Sequence, residues 1–225
     1  NAENSGLAKP LINRLKLNED SISGIIKSIS EIKNQSDPVG KILEEWQQPN
    51  GLKFSKMSVP LGVLGVIYES RPNVTVDASC LALKSNNALI LRGGSDSFQT
   101  SNELVKIITM SFKEAQLPNN IIQIIPTIDR EAVDCLLAMD NYVDVIIPRG
   151  GKSLIKKINE KSTIPVIKHL EGLCHIYVDK EANLKIAKDV IFNSKLRRPE
   201  ICGAAETLLI DNAIKDNSLE LIKPL

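Results

Sequence analysis

The first rhythm along the chain is helical. From Ser21, the residues Ile22, Ile25, Ile26, Ile29 and Ile32 recur every three or four positions, which predicts a helix with one apolar face running to about Asn34. Leu7, Leu11, Ile12, Leu15 and Leu17 predict an earlier helix and turn within residues 1–20, and Asp37-Pro38-Val39-Gly40 breaks the pattern. This front part reads as a helical layer packed on something else, without chemistry of its own. From Leu52 the texture changes. Val59–Tyr68 is a Val- and Ile-rich apolar run relieved by glycine, as suits a buried strand approached closely by another backbone.

After that run the chain alternates. Glu69-Ser70-Arg71-Pro72-Asn73 leads into a helical stretch from Val74 to Lys84, and Ala88–Leu91 is a short strand closed by the turn Arg92–Ser97. A helix is predicted from Thr100 to Ala115, a strand over Ile121–Ile125 and a helix over Asp129–Met139. Val143–Ile147 is the next strand, Pro148–Ser153 a turn and Leu154–Asn159 a helix. Short strands follow at Thr163–Ile167 and Cys174–Asp179, then a helix over Leu184–Phe192 and a last strand over Glu206–Ile210. Strands and helices in this alternation predict an α/β fold, a doubly wound, mostly parallel sheet over about Pro60–Ile210. In such sheets ligands bind beyond the carboxyl ends of the strands, where the two glycine turns fall, and both turns are expected at one edge.

Composition narrows the class. The chain has 225 residues, 43% hydrophobic and 24% charged, enough for a sizeable core. A formal net charge of +1 gives no electrostatic case for nucleic acid or an acidic membrane, and no apolar run is long enough to span a bilayer. Trp46 has no aromatic neighbour to build a stacking platform for bases. Four cysteines, Cys80, Cys135, Cys174 and Cys202, are widely spaced without a C-x-x-C pair. That pattern argues against zinc and a disulfide framework and for a reducing cytoplasm. The first residue is Asn1, and the end stops in a helix-like start, so a piece of a longer enzyme is expected.

Two features carry candidate chemistry. Cys202 sits between the proline-stiffened loop Arg198-Pro199-Glu200 and the run Leu208-Leu209-Ile210, with Lys195, Arg197 and Arg198 upstream. Nearby positive charge favours the thiolate, the nucleophilic form; the plain alternative is a small buried cysteine beside a strand. Arg92-Gly93-Gly94 and Arg149-Gly150-Gly151 each stand after a strand and before a helix. A glycine pair at a helix N-terminus lets backbone approach a phosphate, though ordinary βα turns needing positive φ would look the same. Cys80 and Cys135 read as core positions on apolar helices, and His175 as a structural residue in a strand; His169 and Glu171 follow a strand and could face a cofactor. Lys152, Lys156, Lys157 and Lys161 read as a solvated helix face.

The run Arg198-Pro199-x-x-Cys202-x-x-x-Glu206-Thr207-Leu208-Leu209 resembles the nucleophile loop of the gamma-glutamyl phosphate reductases, a branch of the aldehyde dehydrogenase superfamily. Pro60–Val63, Glu69–Thr75, Leu91–Gly94, Ile147–Gly151, Ser162–Ile167 and the Gly172-x-Cys174-His175-x-Tyr177-Val178-Asp179 run resemble the same family in its own order, so the likeness covers nearly the whole chain. Two positions depart from it. Gly203 follows the cysteine where the family usually has Asn, and Ser95-Asp96 stands where a lysine often follows the glycine pair. The first removes a potential side-chain donor beside the nucleophile. The second removes a cation suited to the extra phosphate of NADPH.

The resemblance implies an aldehyde dehydrogenase fold. Residues 1–196 would be a helical N-terminal segment plus an NADP-binding Rossmann-like domain, and residues 197–225 the start of a catalytic domain. It implies NADPH-dependent reduction of L-glutamyl 5-phosphate to L-glutamate 5-semialdehyde and phosphate, in proline biosynthesis. Cys202 would be the nucleophile, Asn73 or Arg71 the oxyanion donor, and Arg71 and Arg198 substrate-binding residues. Arg92, Gly93, Gly94, Ser95, Arg149, Gly150 and Gly151 would hold the cofactor, with no metal. A homo-oligomer and a functional partnership with glutamate 5-kinase are also implied. The rival readings are a non-catalytic remnant that at most binds nucleotide, and an acylating enzyme using a CoA thioester.

Overall fold

The computed structural model describes residues 17–69, 71–168, 172–197, 199 and 201–216. Arg198, His169, Glu171 and the first expected helix, up to residue 16, lie outside them. The chain divides into two compact units, Asn1–His169 and Leu170–Leu225. The boundary expected between 196 and 197 falls inside the second unit.

In the first unit, α1 (Glu19–Asn34) starts at Asn18, whose side chain accepts from the Ser21 N–H and supplies an acceptor to an otherwise unpaired helix N-terminus. Its expected apolar face is only partly used. Ile32 is buried, while Ile22, Ile26 and Ile29 are exposed, so the inward stripe runs through Ser21, Ile25, Ser28 and Ile32. The Ser28 hydroxyl donates to Asp77 of the next helix at 2.8 Å.

A hairpin follows that the apolar pattern does not reveal. β1 (Ile42–Gln47) and β2 (Lys53–Met57) pair antiparallel, and every residue of both strands is exposed. With neither face buried, no apolar alternation marks it. Trp46 is not alone: it lies opposite Phe54 across the hairpin and stacks on it, with ring centroids 5.3 Å apart.

The main sheet has four parallel strands in the order β5-β4-β3-β6, with β3 (Val63–Tyr68), β4 (Ala88–Arg92), β5 (Ile122–Ile124) and β6 (Val145–Arg149). The helices α2 (Pro72–Lys84), α3 (Phe98–Glu114) and α4 (Glu131–Leu137) make the connections, and α5 (Lys152–Lys161) follows β6. Alternation along β3 sends Leu64, Val66 and Tyr68 into one core with Phe112 and Val105 of α3. It sends Ile67 into the other, with Leu136 of α4 and Ile158 of α5. Helices therefore cover both faces, as a doubly wound sheet requires.

β3 begins at Val63 and not at Val59, because Gly62 turns the backbone to φ +114°. There Gly62 N–H donates to Asn87 Oδ1 at 2.8 Å and Val63 N–H to Asp144 Oδ2 at 2.7 Å, so the amino ends of β3, β4 and β6 are tied together. The strand expected at Thr163–Ile167 is reduced to a single parallel bridge between Val166 and Ile146.

The second unit is one βαβ crossover: β7 (Cys174–Val178), α6 (Leu184–Leu196) and β8 (Ala205–Ile210), with the strands parallel. The expected continuous sheet to Ile210 is thus corrected, since β7 and β8 pair with each other as a separate sheet. Asn183 caps α6 by accepting from Lys185 and Ile186. Among the described residues, no helix is long and apolar enough to cross a membrane.

Candidate active site

Parallel strands put all their carboxyl ends at one edge, and the register aligns the two arginine turns there. Ile67 pairs with Arg92 on one side of β3, and Tyr68 with Arg149 on the other. From β3 the chain winds outward through β4 to β5, then returns to place β6 against β3's other side. The topological switch point therefore lies between Tyr68-Glu69 and Arg149-Gly150-Gly151, the crevice where doubly wound sheets bind ligands. Arg71 and Asn73 lie at the same edge, because they open α2 immediately after β3.

Neither glycine pair owes its place to a positive φ among the described glycines; what each needs is room. A Cβ on Gly93 would meet the Tyr68 hydroxyl at 3.2 Å. That hydroxyl is buried and shares a hydrogen bond with Thr75 Oγ1 at 2.7 Å. Burial pushes the Tyr68 phenol up, partly offset by the hydroxyls of Ser101 and Thr75. A Cβ on Gly150 would stand 2.7 Å from both Glu69 Oε2 and Leu154 Cδ2.

The two arginines do different things. Arg92 is buried, and its guanidinium donates to the carbonyls of Gly93, Ile128 and Asp129, clamping the first turn to the loop after β5. Burial, followed by the neighbouring Arg130, lowers its pKa, and Asp129 partly restores it. Arg149 is exposed at the crevice, as are Ser95, Gly150 and Gly151.

Two carboxylates at this edge escaped the sequence reading. Glu69 Oε2 accepts from the Gly151 N–H at 2.9 Å, so α5 starts against a built-in anion. Asp96 Oδ1 accepts from the Ser97 N–H at 3.0 Å, at the start of α3. Asp96 bonds the residue next to it, whereas Glu69, at a strand end, carries no signal until its neighbour across the sheet is known.

Asn73 and Arg71 are exposed on the approach to α2. Asn73 Nδ2 donates to Asp77 Oδ2 at 3.3 Å, which orients the amide and leaves its second N–H. Arg71 is the N-cap and offers α2 no side-chain cap, and Pro72 sits buried at the first helical position.

Cys202 belongs to the second unit, in the turn 202–203 just before β8, and it is exposed, not buried. Its carbonyl accepts from the Cys174 thiol at 3.6 Å. Gly172 closes on the same point: a Cβ there would lie 3.0 Å from that carbonyl oxygen. Cys174 is thus a neighbour of the candidate nucleophile that sequence distance hid. Cys135, expected in the core, is exposed on α4, and Cys80 is half-buried. His175 is exposed, with Nδ1 2.6 Å from the Leu173 carbonyl. Lys157 and Lys161 are not simply solvated, since both pair with Asp134, at 3.0 and 2.8 Å. Among the described residues, no group of three or more His, Cys, Asp or Glu side chains is placed to hold a metal ion.

Comparison with known proteins agrees with this architecture. The chain is 50% identical over 211 residues to the gamma-glutamyl phosphate reductase of Paramagnetospirillum magneticum, covering 94% of this chain and 50% of that protein. It is 49% identical over 223 residues to the enzyme of the same name from Bartonella bacilliformis, covering 99% and 54%. The crystal structure of the Thermotoga maritima gamma-glutamyl phosphate reductase superposes with a TM-score of 0.90 at 39% identity, over 99% of this chain and 54% of that one. The chain spans about half the length of the curated relatives it matches. The profile of the aldehyde dehydrogenase family matches residues 14–224, so the chain belongs to the aldehyde dehydrogenase family.

Proposed function

We propose that this chain is part of a gamma-glutamyl phosphate reductase, which reduces L-glutamyl 5-phosphate to L-glutamate 5-semialdehyde and releases phosphate. The observation that carries the reading is the near 50% identity to reductases of that name over almost all of this chain. The first unit takes the cofactor and the second carries the nucleophile loop. In this reading the protein works in the cytoplasm, as a homo-oligomer, on the product of glutamate 5-kinase.

The carboxyl edge fits a dinucleotide in part. Arg149, Gly150, Gly151 and Ser95 are exposed along the turns that flank the end of β3, and Gly150 leaves room there for the Glu69 carboxylate. Arg149 supplies positive charge, whereas Arg92 holds the first turn in shape through Gly93 and the 128–129 carbonyls, with Gly94 completing that turn. NADPH, when bound, supplies the hydride that takes the acyl group to the aldehyde level.

The chain's own chemistry is nucleophilic catalysis. The Cys202 thiolate attacks the acyl carbon, the bond to the phosphate oxygen breaks, and a thioester forms. After reduction the carbon–sulfur bond breaks, the aldehyde leaves and the thiolate returns. Each tetrahedral stage places charge on oxygen, which backbone N–H groups near Cys202 would stabilise; Asn73 or Arg71 is the side-chain donor that the family resemblance implies. Arg71 and Arg198 suit the anionic ends of the substrate, because a planar guanidinium meets phosphate or carboxylate with two bonds.

The test is NADPH oxidation with glutamyl phosphate made in situ by glutamate 5-kinase, using this chain and a version extended to the relatives' length. Phosphate release matching NADPH consumed in the extended protein supports the reading. No turnover in it, with NADPH leaving amide exchange at 93–95 and 150–153 unchanged, overturns it.

A further inference from the structure

We propose that Cys174 and Cys202 form a reversible disulfide that masks the Cys202 thiol when the protein meets a peroxide. The two residues stand 28 positions apart, yet the Cys174 thiol already lies 3.6 Å from the carbonyl oxygen of Cys202. Gly172 packs on both, since a Cβ there would meet that oxygen at 3.0 Å and Cys174 Sγ at 3.2 Å. Both cysteines belong to the second unit and both are reduced. The other two, Cys80 and Cys135, lie on α2 and α4 of the first unit.

A disulfide needs Cα atoms roughly 4.4–6.8 Å apart and converging side chains. The carbonyl oxygen and Sγ of Cys202 each hang two bonds from its Cα, so a sulfur resting on the oxygen is near the reach of the other sulfur. Rotation of the exposed Cys202 side chain closes the remainder. The surroundings leave room: no atom lies within 4 Å of where a Gly203 Cβ would be, and the β7–β8 pairing is irregular between Cys174 and His175.

The chemistry balances with hydrogen peroxide as oxidant. The exposed Cys202 thiolate attacks one peroxide oxygen; a sulfur–oxygen bond forms, the oxygen–oxygen bond breaks, and the leaving hydroxide takes the thiol proton as water. The Cys174 thiol then loses its proton and attacks the sulfenic sulfur, making the sulfur–sulfur bond and releasing the hydroxyl as a second water. Two thiols are oxidised by two electrons and one peroxide is reduced. A dithiol reverses the bond, whereas a sulfenic acid with no partner thiol proceeds to sulfinic acid, which dithiols do not restore. Cys174 is thus a resolving cysteine that keeps Cys202 recoverable. Only the effect on reduction rests on the function proposed above; the disulfide does not.

The test is peptide mapping of the 225-residue chain after brief hydrogen peroxide treatment and alkylation, without reductant. The expected result is a Cys174–Cys202 linked peptide accounting for most of the lost Cys202 thiol, with Cys80 and Cys135 still alkylated. In Cys174→Ser, dimedone should label Cys202, and longer exposure should give a product that dithiothreitol does not reverse. Sulfinic acid at Cys202 of the unaltered chain, arising as fast as in the variant, overturns the proposal, as does pairing only with Cys80, Cys135 or another chain. The unaltered chain decides the matter even if the variant fails to fold. A disulfide in a protein that never reduces glutamyl phosphate would sink the functional reading and leave this one standing; turnover without the disulfide does the reverse.

Discussion

Gly151 donates its backbone N–H to Glu69 Oε2 at 2.9 Å, joining the residue that follows β3 to the turn that follows β6. The bond spans the switch point and is possible only because Gly150, between Arg149 and Gly151, has no side chain to push the carboxylate away.

Glu69→Ala should therefore cost about 1 kcal/mol, below the usual range for a hydrogen bond to a charged group because the carboxylate is exposed. Gly150→Ala should cost a similar amount, since its Cβ displaces the movable ends of Glu69 and Leu154 and not backbone. Thermal melts of both single variants and the double variant check the shared origin. The double variant should lose clearly less than the sum, and full additivity would show that the two act separately.

Gly62→Ala should be more severe. Its φ of +114° is one that L side chains rarely adopt, and the new Cβ would collide with the Asp144 carboxylate that ties β3 to β6. A loss of about 2 kcal/mol or more in urea unfolding is expected. A loss under half of that would mean the three-strand tie at the amino ends is dispensable.

The cysteines should separate by reactivity. Burial, followed by the charge of Asp77, pushes the Cys80 thiol up. Folded Cys80 thus holds its proton where the unfolded chain has released it, so its contribution weakens stability only as pH rises through and above the ordinary thiol range. Limiting alkylation near neutral pH should mark exposed Cys202 before Cys80, read by mass spectrometry. In the full-length protein, Cys202→Ala should abolish reduction, while Cys80→Ala and Cys135→Ala retain most of it.

Gly203→Asn should fold normally, because the space around a Cβ there is open and the φ is one other residues adopt. If the missing amide is an oxyanion donor, turnover of the full-length protein should rise, by up to about a hundredfold. An unchanged kcat, with an unchanged melting temperature, would show that an amide at this position is not the missing donor.

How far the sequence reached depends on where burial lies. Strands buried on both faces announce themselves as apolar runs, so β3, β4, β5 and β6 and the helices between them were legible, as was one edge carrying Arg92-Gly93-Gly94 and Arg149-Gly150-Gly151. The hairpin around Trp46 and Phe54 was not, because a ribbon with no buried face has no alternation to read. The Cys202 loop, with the matching motifs between Pro60 and Asp179, already resembled the family. Tertiary structure alone decided that Arg92 is turned onto backbone carbonyls while Arg149 faces outward, and that Glu69 and Asp96 hold the helix starts. It also brought Cys174 to Cys202 across 28 residues. The bonds of Arg92 to residues 128–129, of Glu69 to Gly151 and of Cys174 to Cys202 join turns distant in the chain, and local periodicity carries no information about which distant atoms meet.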